Sequence, residues 1–121
     1  MVDADGTQSR PALGGRWKLV ELEGDAVSED GNVPYLELDA EASTLAGSGG
    51  CNRLAGGFET GAAGFRFGPV ATTLRACDEE IMRREAAFLA VLGAADGVEL
   101  DALGLALLAE GRVLARLARV R

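Results

Sequence analysis

Gly47-Ser48-Gly49-Gly50-Cys51-Asn52-Arg53-Leu54-Ala55-Gly56, followed downstream by Thr73-Leu74-Arg75-Ala76-Cys77, carries the argument for the fold. Five glycines fall within positions 47–57. That density implies backbone which side chains would obstruct, through positive φ angles or close contacts. The stretch from Gly47 to Gly57 therefore reads as a tight, bulged loop. Asn52 is expected to cap exposed backbone groups there, as Asn does in turns. Cys51 and Cys77 are the only cysteines, and the chain contains no histidine.

Outward from these stretches the chain alternates between strand patterns and turns. Phe58-Glu59-Thr60 and Gly64-Phe65-Arg66-Phe67 read as a hairpin across Gly61 to Gly64, with Phe65 and Phe67 on one face. Upstream, Arg16 to Leu22 alternates with period two. Trp17, Leu19 and Glu21 share one face and Lys18, Val20 and Leu22 the other, so neither face is cleanly apolar. Gly24 to Pro34 reads as a loop, Tyr35 to Asp39 as a second strand and Ser43 to Gly47 as a third. Residues 1–14 read as a flexible lead-in to a domain spanning 15–121.

After Cys77 a helix is expected. Asp78 suits the N-cap, and Glu79 and Glu80 suit the first turn beside the positive end of the helix dipole. Ile81, Glu85, Phe88 and Leu92 form one row, which Met82, Ala86 and Leu89 widen into an apolar face. Gly93 or Gly97 is expected to end it. Val98 to Leu100 starts a further strand. Leu103, Leu105 and Leu107 alternate beyond it, and Glu110-Gly111 marks a tight turn into Arg112 to Leu117. Strands, one helix, then strands give an α+β domain with a curved, mostly antiparallel sheet.

The 121 residues suit one domain with a modest core, built from Leu, Val and Ala with four Phe as large pieces. A net charge of −7 disfavours phosphate backbones, so no nucleic-acid partner is expected. The basic residues Arg112, Arg116, Arg119 and Arg121 read as a solvated edge, with Arg112 and Arg116 on one face. No window reaches the roughly 18 apolar residues of a membrane-spanning helix. No signal peptide is read at the N-terminus, so the chain reads as cytoplasmic as written, and as exported or envelope-bound if a signal was trimmed.

The motifs resemble the META domain, the HslJ-like family. An early Trp-x-Leu strand matches Trp17 and Leu19. The Gly-Cys-Asn loop matches Gly47, Gly50, Cys51, Asn52, Gly56 and Phe58. The Thr-x-x-x-Cys segment and its helix match Thr73, Cys77, Met82, Glu85 and Phe88. One departure lies around Ala76, where a Met commonly sits and Leu74 and Arg75 precede here. The resemblance implies a small α+β domain, a half-barrel-like sheet packed on one main helix, and no catalysis. It also implies links to heat and envelope stress.

The chemistry open to these residues is narrow. Without histidine, Cys-His and Ser-His-Asp nucleophiles are excluded. A zinc site would want three or four Cys or His ligands, so no metal or cofactor is expected. The glycine loop lacks the Gly-Lys-Ser/Thr ending of a phosphate cradle. A thiolate at Cys77 would gain from the helix N-terminus but is opposed by Asp78, Glu79 and Glu80. Cys51 and Cys77 either form a disulfide, stabilising by roughly 3 kcal/mol, or remain two neighbouring thiols. Glu85 is the anomaly, a carboxylate within an apolar row. It either locks to Arg53 or to the backbone near Asn52, or lies part-exposed at the row's edge. The function expected is a non-enzymatic accessory or interaction module for a protein or envelope partner. The alternative is a carrier of a small apolar ligand or lipid within the half-barrel.

Overall fold

The computed structural model describes residues 12–29, 31–61 and 64–120. Their strands run in sequence as β1 (Gly15–Leu22), β2 (Asp25–Ala26), β3 (Tyr35–Asp39), β4 (Thr44–Ser48), β5 (Arg53–Gly61), β6 (Gly64–Phe67) and β7 (Ala71–Thr72). The long helix α1 (Glu79–Ala94) follows, then β8 (Gly97–Asp101), β9 (Gly104–Ala109) and β10 (Arg112–Val120). All pairings are antiparallel, in the order β6-β5-β4-β3-β1-β10-β9-β8. The outermost strands return towards each other. A methyl on Gly64 would sit 3.2 Å from the Asp96 carbonyl, and Leu13, Phe65 and Val98 line a gap of about 200 Å³ there. The sheet is thus a nearly closed half-barrel, and the fold is α+β.

The curvature comes from tight turns and bulges. Glu110 and Gly111 both have positive φ (51° and 81°), the geometry that matches strand twist in a two-residue hairpin. The β1–β10 ladder slips between Leu19 and Glu21, which pair with Leu117 and Arg116. Adjacent partners lie on opposite faces, so Leu19 and Glu21 do not share a face, and Leu22 turns inward. This corrects the strict alternation read from the sequence and explains its mixed faces. A second slip between Val113 and Ala115 separates Arg112 from Arg116, which pair with Ala109 and Ala106. The basic residues are therefore dispersed. Arg116 lies 3.7 Å from Asp101, and Arg119 stacks on Trp17 at 4.2 Å. Arg121 lies outside the described residues.

Other boundaries also move. Most of the glycine loop is a hairpin, with β4 ending at Ser48 and β5 starting at Arg53. The loop read over 24–34 contains β2, joined to β1 through Glu23 and Gly24. Asp78 is the N-cap by position, but its side chain makes no capping bond. Neither Gly93 nor Gly97 ends α1, which runs to Ala94 with Ala95 extended. The helix buries Glu85, Phe88, Val91 and Leu92, whereas Met82 and Ala86 face solvent. Apolar residues flank the central row on both sides, so the pattern alone was ambiguous. Packing on the sheet selects the side carrying Val91.

Side chains fill the barrel: Trp17, Leu19, Leu36, Phe88, Leu92, Leu105, Leu107 and Leu117 are each less than about 2% exposed. Phe58, Phe65 and Phe67 stack and meet edge-on, at 5.5 Å and 4.8 Å between centroids. Leu13 is fully buried as well. Three consecutive carbonyls hold it there. Ala12 and Gly14 accept bonds from the Arg119 guanidinium at 2.8 Å each, and Leu13 accepts one from the Trp17 indole at 2.8 Å. Residues 12–14 are thus tied to the domain, with Leu13 in its core, while 1–11 lie outside the described residues. Leu13→Ala should cost about 2–4 kcal/mol in urea denaturation, as core truncations do. Met82→Ser should stay within about 0.5 kcal/mol. Equal effects would contradict both placements.

Candidate functional site

The turn between β4 and β5, residues 49–52, brings the chain over Glu85 on α1. Glu85 is only 4% exposed, and an unpaired carboxylate there would be strongly unfavourable. The turn supplies three donors. The Cys51 and Asn52 amides donate to Oε2 at 3.0 and 2.6 Å, and the Asn52 side-chain Nδ2 donates to Oε1 at 2.7 Å. Burial by itself would raise the Glu85 pKa. The bonds from the Asn52 side chain, the Asn52 amide and the Cys51 amide together outweigh it and hold the carboxyl below its ordinary value. Arg53 is not its partner; it is exposed at the start of β5.

Two glycines permit this approach. A Cβ on Gly49 would lie 2.6 Å from Glu85 Oε2. Gly50 has a φ of 110°, and a Cβ on it would sit 2.9 Å from the Asn32 carbonyl. Gly49 also donates to the Asn52 carbonyl at 2.9 Å, closing the turn.

Asn52 is 5% exposed and works in two directions. Its Oδ1 accepts from the Thr73 hydroxyl at 2.8 Å and from the Arg75 amide at 2.6 Å. Nδ2 also reaches the Arg75 carbonyl at 3.3 Å. Beside it, the Arg53 amide donates to Thr73 Oγ1 at 3.1 Å and the Thr73 amide donates to the Arg53 carbonyl at 3.2 Å. Cys51 and Cys77 are bonded, with Cα atoms 6.0 Å apart. Of the two states left open by the sequence, the structure holds the disulfide. Helix, turn and the segment 73–77 are thereby tied into one clasp.

The motif residues divide by place. Gly50, Cys51, Asn52, Thr73, Cys77 and Glu85 meet in the clasp. Trp17, Phe58 and Phe88 are core, and Gly47 and Gly56 sit in β4 and β5 where neighbouring backbone passes close. Met82 joins neither group. The sequence reading missed Leu74, which is 97% exposed in the middle of the clasped segment. Its signal was a large apolar residue between Thr73 and Arg75 in a segment without strand or helix pattern.

The META domain family model matches residues 10–121, nearly the whole chain. The chain belongs to the META domain family. Two solved structures share its fold. An NMR structure of a protein from Burkholderia xenovorans has 22% identity and a TM-score of 0.70, covering 99% of this chain and 92% of that one. A second NMR structure has 23% identity and a TM-score of 0.70, covering 98% of this chain and 96% of its own. A search of curated proteins found no match. Among the described residues of this META domain, no three His, Cys, Asp or Glu side chains gather as a metal site would require. No described helix is long and apolar enough to cross a membrane.

Two outcomes follow from the clasp. Because the Glu85 pKa is lowered on folding, the unfolded chain takes up protons first as pH falls. Stability from this group is full above the ordinary Glu range, near 4.5, and is lost as pH falls through the lowered value. Glu85→Gln should lower stability at neutral pH by about 2–3 kcal/mol, since an amide nitrogen would face N–H donors. It should also flatten the acid limb of a stability–pH curve, and a melting temperature unchanged from wild type at pH 7 would refute the lock. Cys51→Ala/Cys77→Ala should lose about 3 kcal/mol, the loop-closure contribution of a bond between residues 26 apart, measured by denaturation under non-reducing conditions.

Proposed function

We propose that this META domain is a non-enzymatic interaction module, an accessory in stress responses, that recognises a protein partner with the surface its clasp displays. One observation carries the reading: 73–77 is held by Asn52 and the disulfide, yet Leu74 stays 97% exposed. An apolar side chain carried on an anchored backbone can seat in an interface with less ordering of the chain that bears it.

Catalysis finds little support in the buried polar groups. Glu85 is the buried titratable group of the clasp, and its hydrogen bonds favour the charged form, opposite to the raised pKa of a carboxyl acid catalyst. The stress association comes with the HslJ-like resemblance. The disulfide supports work in an oxidising setting such as the cell envelope, since such bonds rarely persist in reducing compartments. The ligand-carrier alternative is less favoured because side chains occupy the barrel interior. A cleft of about 390 Å³ between the β1–β2 hairpin and α1 is lined by Leu22, Val27 and Ile81 but also by Asp25, Glu80 and Arg83, at the surface rather than in the barrel.

A photo-crosslinking residue placed at Leu74 in the native cells should give a discrete protein adduct, and one placed at exposed Glu41 should not. Excess wild-type domain should compete the adduct away, whereas Leu74→Ser should not. Failure to form an adduct at 74, or equal competition by Leu74→Ser, would refute surface recognition there.

A further inference from the structure

The clasped segment has features that an endopeptidase recognises in its substrate. Such an enzyme takes a segment outside helices and sheets, places one side chain in a specificity pocket and attacks the peptide bond that follows. Residues 73–78 are neither helix nor strand. Thr73 through its hydroxyl and Arg75 through its backbone amide bond to Asn52, while the Leu74 side chain between them is 97% exposed. Arg53, Arg75 and Ala76 around it are exposed as well.

The bond after Leu74 is supported from behind. The Arg75 amide, the nitrogen half of the Leu74–Arg75 peptide, donates to Asn52 Oδ1 at 2.6 Å, and the Arg75 carbonyl accepts from Asn52 Nδ2 at 3.3 Å. On the N-terminal side Thr73 is tied to Arg53 of β5. On the C-terminal side Cys77 is bonded to Cys51, the neighbour of Asn52. Asn52 is in turn fixed by Glu85. Both sides of the Leu74–Arg75 bond are therefore anchored to one turn of the protein.

We infer that residues 72–77 are a substrate-like inhibitory loop for a serine endopeptidase with an apolar specificity pocket, and that Leu74 fills that pocket. This names the partner class for the recognition surface proposed above and rests on that reading. The partner supplies the Ser and its general base. In the forward step the Ser oxygen bonds to the Leu74 carbonyl carbon, the C–N bond to Arg75 breaks, and the Ser proton passes through the base to the Arg75 amine. In an ordinary substrate that amine diffuses away and water completes hydrolysis. Here Asn52 and the disulfide keep it beside the acyl ester. It attacks the ester, returns the proton to the Ser, and restores the Leu74–Arg75 bond. The enzyme stays occupied because its product does not leave.

The test uses the full-length, oxidised chain with chymotrypsin and subtilisin, each assayed on a chromogenic peptide, and trypsin as the control. Wild type is expected to inhibit the enzymes with apolar pockets and to be recovered largely intact. Leu74→Lys, at a site too exposed to perturb the fold, should weaken chymotrypsin inhibition roughly 30-fold or more, the effect of an interface hot spot, and should create inhibition of trypsin. No inhibition at large molar excess would overturn the inference. So would turnover of the chain as a plain substrate, or inhibition indifferent to Leu74→Lys. A Leu74 crosslink that persists while the enzymes remain uninhibited sinks this inference alone; absence of the crosslink sinks the surface reading beneath it.

Discussion

A buried carboxylate dictates the local structure of this domain. Glu85 lies on the sheet-facing side of α1, where charge is tolerated only with donors aimed at it. The donors come from a turn, and the turn must come very close. That requirement accounts for Gly49, which has no room for a side chain beside Glu85, and for the positive φ of Gly50. Once the turn is seated, Cys51 is placed for Cys77 and Asn52 for Thr73 and Arg75. One charge thus fixes a helix, a hairpin turn and a loop relative to one another.

The apolar part of the structure obeys a different constraint. A sheet that curves far enough to bring β6 towards β8 must bend, and the slips in β1 and β10 lie on adjacent strands, one in the β1–β10 ladder and one in the β10–β9 ladder. They change which side chains face inward, so Leu22 and Leu114 enter the core. Residues 12–14 then fill what the strands leave open, with Leu13 inserted and the indole and guanidinium of Trp17 and Arg119 satisfying its backbone. Arg119 therefore serves structure, through its carbonyl partners and the Trp17 ring, rather than a basic binding surface.

Much of this was legible from residue patterns, and the misses have physical causes. Glu85 stood out because it interrupts an apolar row, and the glycine–Cys–Asn run announced a demanding turn. The Glu110-Gly111 hairpin and the start of α1 after Asp78 were local signals, set by φ preference and the helix dipole. The bulges were not legible, because an extra residue in a ladder leaves no mark until both strands are aligned. The helix face was misplaced toward Met82 because apolar residues flank the row on both sides, and only packing on the sheet chooses between them. Leu13 was assigned to a lead-in because its partners, Trp17 and Arg119, are brought to it by the fold. Leu74 was overlooked because exposure is a property of the folded surface, not of the residue.

The polar groups of the clasp also bear on the kind of work the domain does. A carboxyl that serves as a general acid has its pKa raised, by an environment that resists its charge. Glu85 is in the reverse situation: its bonds from Asn52 and Cys51 favour the charge and use both oxygens. Asn52 likewise spends its amide on Glu85, Thr73 and Arg75. Groups so fully engaged have little capacity left for a substrate. What they produce is rigidity, delivered to a segment whose one large side chain remains in water. The interior hydrogen bonds of this fold therefore hold an exterior segment in place, and the recognition proposed for that segment rests on this.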